Sequence, residues 1–165
     1  AGKGATFTIH LPSTGDMPAE PGTGHDTMTT ADPAGGSVLV MDGDEMILNL
    51  AGNMLHLLGY RVTTCVNGEE AVSQYETALG SGKPYDVVIM DLTVPGGMGG
   101  MEAARKILAY DPGARLIVSS GYSNDPIMAH YKEYGFRGAV AKPYRINELM
   151  EVLRMVKSEF TSRGQ

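Results

Sequence analysis

From Ser37 onward a short apolar run and an amphipathic helical pattern alternate five times, and this alternation restricts the fold more than any other feature of the chain. The apolar runs fall at Val38 to Met41, Tyr60 to Val66, Val87 to Met90, Leu116 to Ser119 and Gly138 to Ala141. Runs of this length bounded by turn residues read as strands buried on both faces, the habit of parallel sheets. Each crossover between such strands has to be right-handed and pack back on the sheet, which predicts helices on both sides. The expected fold is therefore a doubly wound α/β domain of five parallel strands and five helices. In the order 2-1-3-4-5 the winding reverses between the first and third strands, and a cleft opens there at the carboxyl ends.

The helical segments are predicted from periodicity and end signals. Met46, Ile47, Leu50, Met54, Leu57 and Leu58 line one face of the first helix, which Gly59 ends. Asn67 followed by Glu70 makes a capping-box-like start for the second, with Ala71, Val72 and Tyr75 inward. The third uses Met101, Ala104, Ile107 and Leu108 and stops at Asp111, Pro112 and Gly113. Asp125 before Pro126 starts a fourth, reaching about Tyr134. The fifth, from about Arg145 to Phe160, buries Ile146, Leu149, Met150, Leu153 and Val156. Methionines at helical spacing read as core filling.

Four of the five strands lead into polar residues facing the same rim: Asp42 with Asp44 after the first, Asp91 after the third, Ser120 after the fourth and Lys142 after the fifth. Asp91 alone has two readings, a strand-end cap or a ligand-binding group, and its companions decide. Carboxylates within about 5 Å of one another repel by roughly 3 kcal/mol at an effective dielectric near 20, so such a cluster calls for a cation. Few, hard oxygen donors suit Mg²⁺, which keeps waters and also binds phosphate oxygens. A metal beside one carboxylate, a lysine and a hydroxyl is equipment for phosphoryl transfer onto that carboxylate.

Composition narrows the rest. A net charge of −6 with scattered Lys and Arg argues against nucleic acid or anionic membrane as a direct partner. The lone Cys65 excludes an internal disulfide and any multi-cysteine metal site, fits a reducing compartment and is expected to pack at a strand end. No run approaches a membrane span and no signal-peptide core precedes the domain, so the expectation is a cytoplasmic domain, compatible with a membrane-attached parent. His10, His25, His56 and His130 lack the helical setting of a phosphohistidine, and His56 reads as a surface residue. The glycines at 96, 97, 99 and 100 have no nucleotide-loop lysine behind them and read as a flexible lid over the site.

Ahead of the domain, residues 2–12, GKGATFTIHLP, alternate like a strand, and residues 13–36 are a Pro, Gly, Thr and Asp-rich linker that cannot bury enough surface to fold. The first piece resembles the closing strand of a histidine-kinase ATP-binding domain, which implies that residues 1–12 are a remnant of one, with its nucleotide-binding motifs upstream.

The set Asp42-Gly43-Asp44, then IMDLTVPGGMGG at 89–100, SSGY at 119–122 and KPY at 142–144 resembles the receiver domain of two-component response regulators, over about residues 37–160, with 161–165 as a tail. The resemblance implies a flavodoxin-like fold, Asp91 as phosphoacceptor, Asp42 as a metal-site acid, Ser120 as switch hydroxyl, Lys142 as the phosphoryl contact, a metal contact through the Thr93 backbone carbonyl, and a cis bond before Pro143. Together with the kinase-like first strand, it implies the receiver of a hybrid sensor histidine kinase. A histidine kinase core or a histidine phosphotransfer protein would be its partner, and its own phosphorylation and dephosphorylation the only reactions it catalyses.

Two departures stand out. Receivers carry two adjacent acids after the first strand, whereas here Gly43 takes the second place, so either Asp44 substitutes or Mg²⁺ binding is weakened. They also often place a switching aromatic three residues before the lysine, where this chain has Ala139. A phosphoacceptor domain is the leading reading. A degenerate receiver that serves as a protein-docking module is the alternative, and a flavin enzyme lacks any phosphate-cradling loop after the first strand.

Overall fold

The computed structural model describes residues 35–122 and 125–158. The strands are β1 (Ser37–Met41), β2 (Arg61–Cys65), β3 (Val87–Asp91), β4 (Leu116–Ser120) and β5 (Gly138–Ala141). The helices are α1 (Glu45–Leu57), α2 (Gly68–Gly80), α3 (Gly100–Tyr110), α4 (Pro126–Ala129) and α5 (Ile146–Ser158), with a 3₁₀ turn at Tyr131–Tyr134. All pairings are parallel and the order is β2-β1-β3-β4-β5, the expected doubly wound sheet. The strand-like piece at 1–12, most of the linker, His10, His25 and the tail lie outside the described residues.

Side-chain alternation along the strands divides the interior in two. Val38, Val40 and Ile89 point to the side of Leu48, Leu55, Leu149 and Leu153 from α1 and α5. Leu39, Met41, Val88 and Met90 point to the side of Ala71, Tyr75, Ala104 and Ile107 from α2 and α3. Burial on both faces explains why β1, β3 and β4 read as nearly unbroken apolar runs, whereas the edge strand β2, RVTTC, is partly exposed.

Three helices differ from expectation. In α1 the buried residues are Leu48, Ala51 and Leu55, flanked by Ile47, Met54 and Leu58. Met46 and Leu57 are 77% and 79% exposed, so the buried face is rotated from the one the large side chains suggested. EMILNLAGNMLHL is apolar on several sides, and the small Ala51 marks where the helix approaches the sheet. The fourth helix is a single turn, started as expected by Asp125, whose carboxylate accepts from the Ile127 amide at 2.9 Å. His130 (φ −116°, ψ 28°) leaves helical geometry, and Gly135 in the left-handed region (φ 87°) closes the 3₁₀ turn. In α5, Val152 is buried while Ile146 lies at the exposed end.

Candidate functional site

Register brings the rim residues together. Met41 pairs with Met90, so the next residues along each strand, Asp42 and Asp91, come level on adjacent strands. Asp91 pairs with Ser119 and Ser120 with Ala141, which puts Lys142 just past the edge of the same rim. The Lys142–Pro143 bond is cis. The Lys142 Nζ lies 2.5 Å from Asp42 Oδ2 and 2.9 Å from Asp91 Oδ2. One ammonium therefore serves two carboxylates, and Asp42 and Asp91 are only 1% and 6% exposed.

Burial raises the pKa of Asp42 above the usual carboxylate value. The Lys142 ammonium and the Asp44 backbone N–H, 3.0 Å from Asp42 Oδ1, oppose that shift, and the neighbouring Asp91 charge adds to it. The Asp91 Oδ1 accepts from the Thr93 amide at 3.2 Å, which turns the start of the β3–α3 loop over the acids. The Ser120 Oγ accepts from the Tyr122 amide at 3.1 Å and, as a hydroxyl, can still donate to an incoming oxygen.

Asp44 is placed otherwise than as a stand-in ligand. Its side chain is exposed and its Oδ1 accepts from the Met46 amide at 2.8 Å, capping α1. The orphan N–H groups of a first helical turn attract an acid at that position, and an Asp directly before a helix is the sequence signal for it. Among the described residues no three Asp, Glu, His or Cys side chains gather to hold a metal ion. What remains is two buried carboxylates and, on formal charges, one negative charge not matched by Lys142. That donor set suits Mg²⁺ held by one or two carboxylates, with waters and a phosphate filling the other positions.

The glycine loop, expected as a flexible lid, is tethered at Met98. The Met98 amide donates to the Glu69 carboxylate at 3.0 Å, and the Met98 carbonyl accepts from Gly68 at 2.8 Å, so the N-terminus of α2 holds the loop. Gly99 and Gly100 pass against the carbonyls of Leu92 and Asp91, where a Cβ would collide. Glu69 had no sequence signal pointing to the loop. Nor did Ser119 and Tyr144, whose buried hydroxyls meet at 2.9 Å beside the acids.

Other expected residues fall as the sequence suggested. Cys65 is buried at the end of β2, where burial and the nearby Glu70 push its thiol up to about 12. His56 and His130 are exposed. Ala139 lines an open groove of about 450 Å³ between β5 and α5, together with Ala141, Val152 and Met155. Among the described residues no helix is long and apolar enough to cross a membrane.

Known proteins share both the sequence and the arrangement. The chemotaxis protein CheY of Thermotoga maritima is 30% identical over 123 residues, 74% of this chain and 98% of CheY. The response regulator TrrA of Thermotoga maritima, solved with Mg(2+)-BeF, is 28% identical with a TM-score of 0.63, covering 73% of this chain and 98% of TrrA. The receiver domain of the Pseudomonas aeruginosa sensor histidine kinase PA1611, solved with a magnesium ion coordinated in its active site cleft, is 27% identical with a TM-score of 0.64, covering 74% and 98%. A family profile described as the response regulator receiver domain matches residues 38–154. With a relative matched over nearly its whole length and the profile reaching all five strands, the chain belongs to the response regulator receiver domain family of two-component systems.

Proposed function

We propose that this domain accepts a phosphoryl group on Asp91 from a phosphohistidine and later returns it to water. The observation that carries the reading is the Lys142 ammonium, set between Asp42 and Asp91 at 2.5 and 2.9 Å on a nearly closed rim. In the forward step an Asp91 carboxylate oxygen attacks phosphorus, the P–N bond breaks with its electron pair returning to the imidazole, and an acyl phosphate forms. Hydrolysis replaces that acyl P–O bond with one to water and regenerates the carboxylate. Lys142 moves its charge toward the transferred phosphoryl oxygens, and Ser120 donates its hydroxyl hydrogen to one of them.

Asp42, Asp91 and the Thr93 carbonyl would hold Mg²⁺, which when bound supplies charge neutralisation on the phosphoryl oxygens. Gly43 contributes no side-chain donor and Asp44 is committed to its helix cap, which supports weak binding. The magnesium in the PA1611 receiver and in the TrrA complex supports the same choice of ion. The partner class is a histidine kinase core or a histidine phosphotransfer protein. The GKGATFTIHLP match supports a hybrid kinase as the parent.

Titrating the protein with beryllofluoride in Mg²⁺, followed by amide resonances, tests the reading. Shifts centred on Asp91, Ser120 and Lys142, lost in Asp91→Asn, are expected. A spectrum that stays silent at saturating beryllofluoride overturns the phosphoacceptor role in favour of a docking module.

A further inference from the structure

Lys142 has a flexible four-carbon stem, yet its ammonium is held between two particular oxygens. Its aim must come from the backbone that carries it. That backbone is tied at two points to consecutive residues of β4. The Lys142 amide donates to the Ser120 carbonyl at 2.9 Å. Two residues on, Tyr144 turns inward among Leu149, Val152 and Leu153, is 4% exposed, and its Oη meets the Oγ of the fully buried Ser119 at 2.9 Å. The cis Lys142–Pro143 segment is thus bracketed by the last two residues of β4, the strand next to Asp91.

The ring of Tyr144 fills space in the core, and a phenylalanine would fill it as well. The hydroxyl is a different matter. Burying two hydroxyls costs desolvation that their shared bond roughly offsets, and an apolar pair of the same shape would be nearly neutral for stability. The bond therefore adds little to folding and a great deal to registration, since it is a directional contact between strand and loop 25 residues apart in sequence. We infer that Tyr144 is a positioning residue, whose hydroxyl, bonded to Ser119, fixes the loop that aims Lys142 at Asp91 and Asp42. This rests on the phosphoacceptor role of Asp91, with Tyr144 acting through the lysine and touching no phosphoryl oxygen itself.

The test measures labelling rates with acetyl phosphate in Mg²⁺ for the full chain, for Tyr144→Phe, for Ser119→Ala and for the double variant, each with its urea midpoint. Each single change slows labelling by about three- to tenfold, the range covered by one lost neutral hydrogen bond. The double variant is no slower than either single and unfolds near the wild-type midpoint. In a Lys142→Ala background, Tyr144→Phe brings no further slowing, which separates aiming the lysine from merely supporting the fold. Wild-type rates in Tyr144→Phe, or equal slowing with and without the lysine, overturn the positioning role alone. A wild-type chain that takes no label overturns the phosphoacceptor reading, and the positioning role falls with it.

Discussion

The Lys142 Nζ, one residue past β5, sits 2.5 Å from the Oδ2 of Asp42, one residue past β1, although β3 and β4 lie between those strands. Three strand spacings amount to about 14 Å, so the segment after β5 has to lean across the rim for the two to meet. The contact joins both ends of the cleft and sets the charge balance of everything inside it.

That balance makes stability depend on pH in a direction that can be worked out. Burial raises Asp42 above its ordinary 3.8, so the folded state holds a proton there more tightly than the unfolded chain does. The contribution of such a group is fully present below its unfolded pKa and is lost as pH rises through the folded value. In chelator, Asp42→Asn is expected to melt about 2–5 °C above wild type at pH 7, the shift that about 1 kcal/mol gives a domain of this size. The gap should narrow toward pH 4, as followed by calorimetry. A variant that melts lower at neutral pH contradicts this sign.

Gly43 offers a gain-of-function test. A Cβ there would lie 3.5 Å from Val94 Cγ1 and 3.6 Å from Pro95 Cδ, ordinary contact distances. A Cβ is therefore tolerated there, and Gly43→Asp adds a carboxylate next to Asp42 in the chain. Mg²⁺ affinity should tighten by about tenfold, since ligand charge sets affinity at such sites, and the metal-free variant should melt lower through added repulsion. Calorimetric titration checks the first effect, and an unchanged affinity would place the cation elsewhere.

The strand positions and the rim residues could be read from the chain, because the central strands are unbroken apolar runs and the polar residues follow them directly, whereas the sheet order and the cis bond at Pro143 are expected from the resemblance to receivers. The buried face of α1 could not, since Met46, Leu50 and Leu57 compete with the smaller Ala51 for the same periodicity. Asp44 carried two compatible signals, cap and ligand, and in the fold its Oδ1 accepts from the Met46 amide. The Glu69 to Met98 tie and the Ser119 to Tyr144 pair join residues 29 and 25 apart, a separation at which no local pattern speaks.

The glycines divide by what surrounds them. A Cβ on Gly68 would fall 2.7 Å from the Met98 carbonyl oxygen and 3.0 Å from Ala103 Cβ, where α2 meets the loop over the site. Gly68→Ala should cost about 1–3 kcal/mol in urea denaturation, as overpacking does. Gly52, inside α1, has nothing within 4 Å of its Cβ position, so Gly52→Ala should stabilise by about 0.5–1 kcal/mol. Opposite signs for the two changes are the outcome to look for.

The central claim is that Asp91 takes a phosphoryl group, and intact-mass spectrometry after incubation with acetyl phosphate and Mg²⁺ tests it most directly. The account predicts a single phosphoryl adduct that is labile to hydroxylamine, maps to the peptide holding Asp91, is absent in Asp91→Asn and is strongly reduced in Lys142→Ala. An unmodified wild-type mass, or an adduct that persists in Asp91→Asn, would contradict it.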